Sequence, residues 1–187
     1  MKTEKLGIEF DMNSAHIGGR WKMDNLSGGY HGIIRVWCEH FGLEGFGLVV
    51  GESGSSGESV KTEFLNKFPD IKHVWSVDLN GADYNWDITR QDKRIYPTVD
   101  INWIVCCATL EHVISPTEAV GNFAGILAPG GRMFLHAPGP NFIEHRYPID
   151  CFRFLRDALI GWSERFDLEI DDMLWSPNHW FVVYRKK

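Results

Sequence analysis

The sequence predicts an α/β fold whose mostly parallel sheet ends in an antiparallel hairpin. Three observations carry this. Apolar runs of strand length alternate with amphipathic helical stretches, which makes a parallel sheet with right-handed crossovers. A glycine-serine loop separates the first such run from the helix after it. The last two apolar runs, "DLEIDDMLW" and "HWFVVYRKK", are separated only by "SPN", so they pair as a hairpin.

The elements follow in chain order. Residues 1–29 are polar and glycine-dotted ("HIGGRWKMDNLSGGY") and read as an arm or lid. "GIIRVWCEHF" places Ile33, Ile34, Trp37, Cys38 and Phe41 at helical spacing. "FGLVVG" is a buried strand, "GESGSSGES" a loop, and "VKTEFLNKF" a short amphipathic helix stopped by Pro69. "KHVWSVDL" is a second strand and "ADYNWDIT" a shorter one. "INWIVCCATL" is a long apolar strand, followed by the helix "PTEAVGNFAGIL", which "APGG" ends. "RMFLHAP" is a further strand, and "FRFLRDALIGWSERF" is the helix before the hairpin.

Composition bounds the function. At 187 residues the chain is expected to form one domain, residues 1–187, with a single sizeable core. Its 44% hydrophobic and 24% charged residues are those of an ordinary globular protein. The net charge is -6, and no Lys/Arg stripe exists beyond "YRKK", so stable nucleic-acid binding is not expected. Cys38, Cys106, Cys107 and Cys151 show no metal-ligand spacing, and adjacent Cys106 and Cys107 point to opposite faces of a strand. Reduced thiols are expected, and no metal. No apolar run reaches the length of a membrane span, and a soluble, cytoplasmic protein is expected.

The glycine loop and three acids point to a cofactor. Gly51, Gly54 and Gly57 lie between a strand and a helix, where the backbone can approach a ligand and the helix N-terminus offers N–H groups. A serine-glycine turn without a ligand would look alike. Asp78 ends the second strand 21 residues beyond Gly57, near the spacing at which a carboxylate meets a ribose diol. Capping of the next turn is its alternative role. Together they indicate an adenosine-containing cofactor. Glu52 gives the loop the form E-x-G-x-x-G, in which a carboxylate would repel a pyrophosphate and suit an ammonium and a sulfonium. Asp87 in "NWDIT" is placed to accept from an adenine amino group, with Ile88 packing on the ring; an Asx-turn is its alternative.

With "LVVGESGSSG", "VDLNGADYNWDIT", "DINWIVCCATLEHV", "ILAPGGRMFLHAP" and "HRYPIDCFRFLRDAL" in order across residues 47–160, the chain resembles the class I S-adenosylmethionine-dependent methyltransferases, specifically their small single-domain members. The glycine motif departs from the family's at Ser55 and Ser56. The resemblance implies a Rossmann-like seven-stranded sheet with helices on both faces. It implies S-adenosyl-L-methionine held by Glu52, Ser53, Gly54 and Gly57 from the loop, and by Asp78, Leu79, Asp87 and Ile88 from the second strand onward. Cys107 and Thr109, in the strand beneath, complete that set. It further implies that "LEH" opens the next helix beside the transferable methyl, with Glu111 and His112 at the mouth of the site. Glu111 as a helix cap, with His112 packing locally, is the bland alternative.

"HRYPIDCFRF" is found in a subset of the family, and its His145, Tyr147, Asp150 and Arg153 would face the substrate. An Asp150–Arg153 pair that starts the helix is the competing reading. His112, then His145, is the candidate base for a protonated acceptor. The expected acceptor is a sugar or another small molecule. A non-catalytic cofactor-binding or scaffolding module and a nicotinamide-dependent oxidoreductase are the rival readings. Glu52 and the terminal hairpin speak against the second.

Overall fold

A computed structural model describes residues 29–91, 98–146, 148–176 and 178–187; the expected N-terminal arm, save Gly29, lies outside the described residues. The chain alternates as anticipated. α1 (Gly29–Phe41) leads to β1 (Gly45–Val50), α2 (Gly54–Lys67), β2 (Ile71–Asp78) and a two-residue β3 (Tyr84–Asn85). β4 (Ile101–Cys107), α3 (Pro116–Ile126), β5 (Leu127–Pro138) and α4 (Arg156–Arg165) precede the hairpin of β6 (Leu168–Ser176) and β7 (His179–Lys186). The seven strands form one sheet in the order β3-β2-β1-β4-β5-β7-β6. β1 pairs parallel with β2 and β4, and only the pairs of β7 with β5 and β6 are antiparallel.

The central strands are apolar on both faces because helices cover both. Leu48, Ile104, Cys106 and Leu135 face Val120, Phe123, Leu159 and Trp162 of α3 and α4. Val49, Val105 and Phe134 face Ile34 and Trp37 of α1 and Phe64 of α2. Cys106 belongs to the first layer and Cys107 packs on the second, as strand alternation requires. All four cysteines are unpaired thiols. Among the described residues, no helix is long and apolar enough to cross a membrane.

Local structure departs from expectation in four places. The glycine-serine loop is only Gly51–Ser53, because α2 already begins at Gly54; burial of Gly57, Lys61 and Phe64 outweighs the weak helix propensity of "GSSGES". "APGG" lies inside β5, where the register slips between Ile101 and Trp103 and Gly130 turns at φ 78°. "FRF" stays outside α4, since Phe154 donates its N–H to Pro138 O at 2.9 Å. "LEH" is a separate 3₁₀ turn, Leu110–His112, and α3 starts four residues later at Pro116.

Gly47 shows how tightly the sheet accepts α2. A Cβ there would lie 2.1 Å from the Trp103 ring, which is buried and stacks on Phe64 at 5.3 Å. Neither ring has room to withdraw. Gly47→Ala should therefore cost about 1–3 kcal/mol by overpacking, read as a lower urea midpoint at unchanged slope.

Candidate active site

A cavity of about 560 Å³ opens at the C-terminal ends of β1, β2 and β4. The chain runs outward from β1 to β3 and then returns to β4, so this is where the strand order reverses. In open α/β sheets that point is where ligands bind. One wall comes from the β2–β3 side, through Asp78, Leu79, Asp87 and Ile88. The other comes from the segments after β4 and β5, through His112 and His145, with Gly51 and Thr109 lining it as well.

The acid wall is built by local hydrogen bonds. Asp78 is the last residue of β2, and its Oδ1 accepts the Leu79 N–H at 2.6 Å. Asp83 pins the following turn, bonded to Lys61 Nζ at 2.7 Å and to the Ser76 N–H at 2.8 Å. Asp87 makes an Asx-turn. Its Oδ1 accepts from Thr89 N and Oγ1 at 3.1 and 2.7 Å, and Arg90 Nε lies 3.0 Å from its Oδ2. Its carboxylate nevertheless lines the cavity. The Ile88 carbonyl accepts from the buried Asn122 amide at 2.8 Å, which fixes the Ile88 side chain beside it.

The glycine loop contributes differently than expected. Gly51, at φ 81°, reaches the cavity, and a Cβ on it would meet Thr109 Oγ1 at 2.2 Å. Thr109 Oγ1 donates to Cys107 O at 2.9 Å and lies 3.3 Å from Val50 O, so β1 and β4 meet through this hydroxyl. Gly54, also left-handed at φ 54°, gives its N–H to Gly81 O at 2.9 Å. The Glu52 carboxylate accepts from the Ser56 hydroxyl. Glu52 and Cys107 line a second, smaller cavity of about 40 Å³ beside Arg35. Ser53, Gly54 and Gly57 line neither cavity.

Beyond β4 the chain turns on Ala108, a non-glycine residue at φ 48°. Its N–H donates to His136 Nδ1 at 3.2 Å. That nitrogen must accept, so neutral His136 carries its proton on Nε2 and donates it to His179 Nδ1, 2.9 Å away. Burial lowers the pKa of His179, which keeps it an acceptor. Nothing in the sequence signalled this link, because it joins the β4 exit to residues of two other strands.

Next, Glu111, His112 and His145 come together. Glu111 points inward at 1% exposure, not toward the mouth, and its Oε2 has no hydrogen-bond partner. Burial raises its pKa, against the pull of its own backbone N–H, His112 and Arg153. His112 Nδ1 lies 2.6 Å from Ile149 O; a carbonyl only accepts, so Nδ1 holds a proton, and in the neutral imidazole the lone pair is on Nε2. That Nε2 is 3.8 Å from Glu111 Oε1, and His145 Nε2 is 3.6 Å from the same oxygen. One ligand-type atom from each residue lies within 4.8 Å of the others.

Asp150 and Arg153 form the pair of the competing reading, though in the irregular segment before α4 rather than at a helix start. Arg153 uses all five N–H groups: on both Asp150 oxygens, at 2.5 and 2.6 Å, and on the carbonyls of Phe142, Ile143 and Phe152. These bonds hold the Asp150 carboxyl well below the usual carboxylate range. Asp150 Oδ2 in turn accepts the His145 backbone N–H at 2.7 Å. Tyr147 lies outside the described residues. Val113, Ile114 and Ile149 also line the cavity, an apolar edge that no motif announced.

A methyltransferase-domain family model matches residues 28–181. No curated protein sequence matches the chain significantly. Solved structures do. One is a Burkholderia thailandensis 1,6-didemethyltoxoflavin-N1-methyltransferase with bound 1,6-didemethyltoxoflavin and S-adenosylhomocysteine; TM-score 0.62, 13% identity, 82% of this chain and 76% of that one covered. Another is an S-adenosylmethionine-dependent methyltransferase from Clostridium acetobutylicum; TM-score 0.57, 13% identity, coverage 82% and 89%. A third is an N-methyltransferase from Bradyrhizobium japonicum; TM-score 0.58, 14% identity, coverage 83% and 93%. At these identities the likeness is one of fold, while the family model spans most of the chain. The chain belongs to the methyltransferase-domain family and has the Rossmann-like class I methyltransferase fold.

Proposed function

We propose that the chain, as one domain, transfers a methyl group from S-adenosyl-L-methionine to a small-molecule acceptor. The cavity at the switch point is the observation that carries this reading. Its roughly 560 Å³ falls within the range of small-molecule sites, which runs from about 300 to 1,000 Å³. Asp78 is at the strand-end position suited to a ribose diol, and Ile88 with Asp87 offers an apolar face and an acceptor for adenine. The B. thailandensis neighbour, with S-adenosylhomocysteine bound on the same fold, supports the assignment. When bound, the cofactor supplies a methyl on a sulfonium.

The residues of this chain then have two tasks. Asp78, Leu79, Asp87, Ile88 and Thr109, with Gly51 letting the backbone close in, hold and orient the adenosine part. Glu52 and Cys107, which line the small cavity beside Arg35, and Ser53, Gly54 and Gly57, which line neither cavity, are assigned to the methionine side by the family resemblance, with Glu52 as the counter-charge for an ammonium group. Across the cavity, His112 and His145 activate the acceptor, and Glu111 sits behind them. Asp150 and Arg153 act by positioning the His145 segment, because Arg153 has no N–H left for a ligand. Alignment of acceptor and methyl is the largest contribution such a site makes, up to about 7–11 kcal/mol. The unpaired thiols suit a reducing, cytoplasmic setting.

The test begins with calorimetry. S-adenosylhomocysteine should bind and raise the melting temperature, and NAD should not; protection by NAD alone would overturn the reading. A screen of acceptor classes with methyl-labelled cofactor then identifies the substrate. Asp78→Ala should weaken S-adenosylhomocysteine by about 1.5–3 kcal/mol, the worth of a hydrogen bond to a charged group. Unchanged affinity would remove Asp78 from the site.

On the acceptor wall, His112→Ala should lower turnover at saturating cofactor by roughly 10²–10⁴-fold while sparing cofactor affinity. Loss of cofactor affinity with turnover intact would move His112 to the other wall.

A further inference from the structure

We propose that Glu111, His112 and His145 form a binding site for one divalent first-row cation at the acceptor end of the cavity. No metal was expected from the sequence, and the proposed methyl transfer does not by itself require one. The inference rests on that reading only for the site's role, not for its existence.

Geometry comes first. Around one zinc-like ion, nitrogen and oxygen ligands sit about 2.0–2.2 Å from the metal, so they stand about 3–4 Å from one another. Glu111 Oε1 is 3.8 Å from His112 Nε2 and 3.6 Å from His145 Nε2, and the three ligand atoms lie within 4.8 Å of one another, so the two imidazoles draw closer on binding one ion. Two imidazoles and one carboxylate make a familiar three-ligand set for a divalent ion that keeps an open position. These three residues come from two separate segments, the 3₁₀ turn after β4 and the loop after β5.

The surroundings match as well. An imidazole that binds metal through one nitrogen usually has its other ring nitrogen set against a backbone carbonyl or a carboxylate. His112 Nδ1 donates to Ile149 O at 2.6 Å, whereas His145 Nδ1 lies 3.6 Å from Asp150 Oδ2, an ion-pair distance rather than a hydrogen bond. Both rings are thus turned with Nε2 toward Glu111.

The independent pointer is Glu111 itself. It is 1% exposed, and Oε2 has no hydrogen-bond partner. Among the described residues, the nearby cation Arg153 is committed to Asp150 and acts on Glu111 only at longer range, and no Lys or Arg lies within ion-pair distance of Glu111. An ionised carboxylate left this way is expensive. A cation coordinated by Oε1 offsets that cost.

Such an ion would do defined chemistry. A hydroxyl of the acceptor entering the open position would bind through oxygen and lose its proton more readily. The proton passes to solvent water at the mouth, where the His145 side chain is 29% exposed, and the oxygen keeps the bonding pair. Oxygen acceptors would then be favoured.

The test titrates the purified chain with Co²⁺ alone, following its visible absorption and heat, with S-adenosylhomocysteine titrated separately. One equivalent of Co²⁺ displaced by Zn²⁺ is expected. Glu111→Gln, which keeps the side-chain shape, and His145→Ala, on a part-exposed loop, should each weaken Co²⁺ by more than the roughly 10–100-fold that an outer partner is worth. Their circular dichroism should remain that of the parent. No stoichiometric binding, or binding that persists in both variants, would overturn the site. Failure of S-adenosylhomocysteine to bind while Co²⁺ still binds would overturn the methyltransfer reading instead and leave the metal site standing.

Discussion

The turn at Ala108 is the constraint on which the site depends. β4 is buried on both faces from Trp103 to Cys106, so the chain must leave the sheet abruptly at its C-terminal edge. It does so through a left-handed residue that is not glycine, which carries strain. The compensation is a hydrogen bond from the Ala108 N–H to His136 in β5, itself bonded to His179 in β7. Ala108 is thereby tied to the antiparallel edge of the sheet. Thr109 then falls under Val50, and the 3₁₀ turn delivers Glu111 inward and His112 to the cavity. The terminal hairpin, remote in sequence, helps to aim the acceptor wall.

The architecture was legible because its signals are cumulative. Each central strand is a continuous apolar run, and its helices carry period-3.6 patterns, so errors at the ends of elements left the topology intact. The errors share a cause. "GSSG" looks like loop by propensity, yet it is the first turn of α2 because Gly57 and Phe64 are buried under the sheet. "APGG" looks like a stop, yet it bulges within β5, since strand pairing resumes at Arg132 opposite Trp103. "FRF" has a helical pattern, but the Phe154 N–H is claimed by Pro138. In each case tertiary contacts override a local preference.

The site was legible in part, for a different reason. Asp78, Asp87, Ile88 and Thr109 line one cavity because strand ends are fixed by topology, and topology is what the apolar pattern encodes. Gly51 was visible as a glycine, but the need for it lies in Thr109, which is 58 residues later. His136 and His179 were invisible as partners, being 43 residues apart with no motif around them. Adjacent Glu111 and His112 suggested a shared exposure at the mouth. The tight 3₁₀ turn separates them instead, one side chain sealed inside and the other on the cavity wall.

That separation explains the loop after β5. A segment presenting His145 opposite a buried glutamate cannot rely on apolar packing, since Ile143 and Pro148 within it are exposed. Order comes from Arg153, whose fork gathers three carbonyls and both Asp150 oxygens, and from Asp150, which accepts the His145 N–H. The Glu111 backbone joins in by accepting the Cys151 N–H at 2.7 Å. Main chain from the β4 exit and main chain from the β5 exit are thus clamped together next to the three side chains. A charged pair that cannot itself touch a ligand is what holds two imidazoles and one carboxylate at a common point.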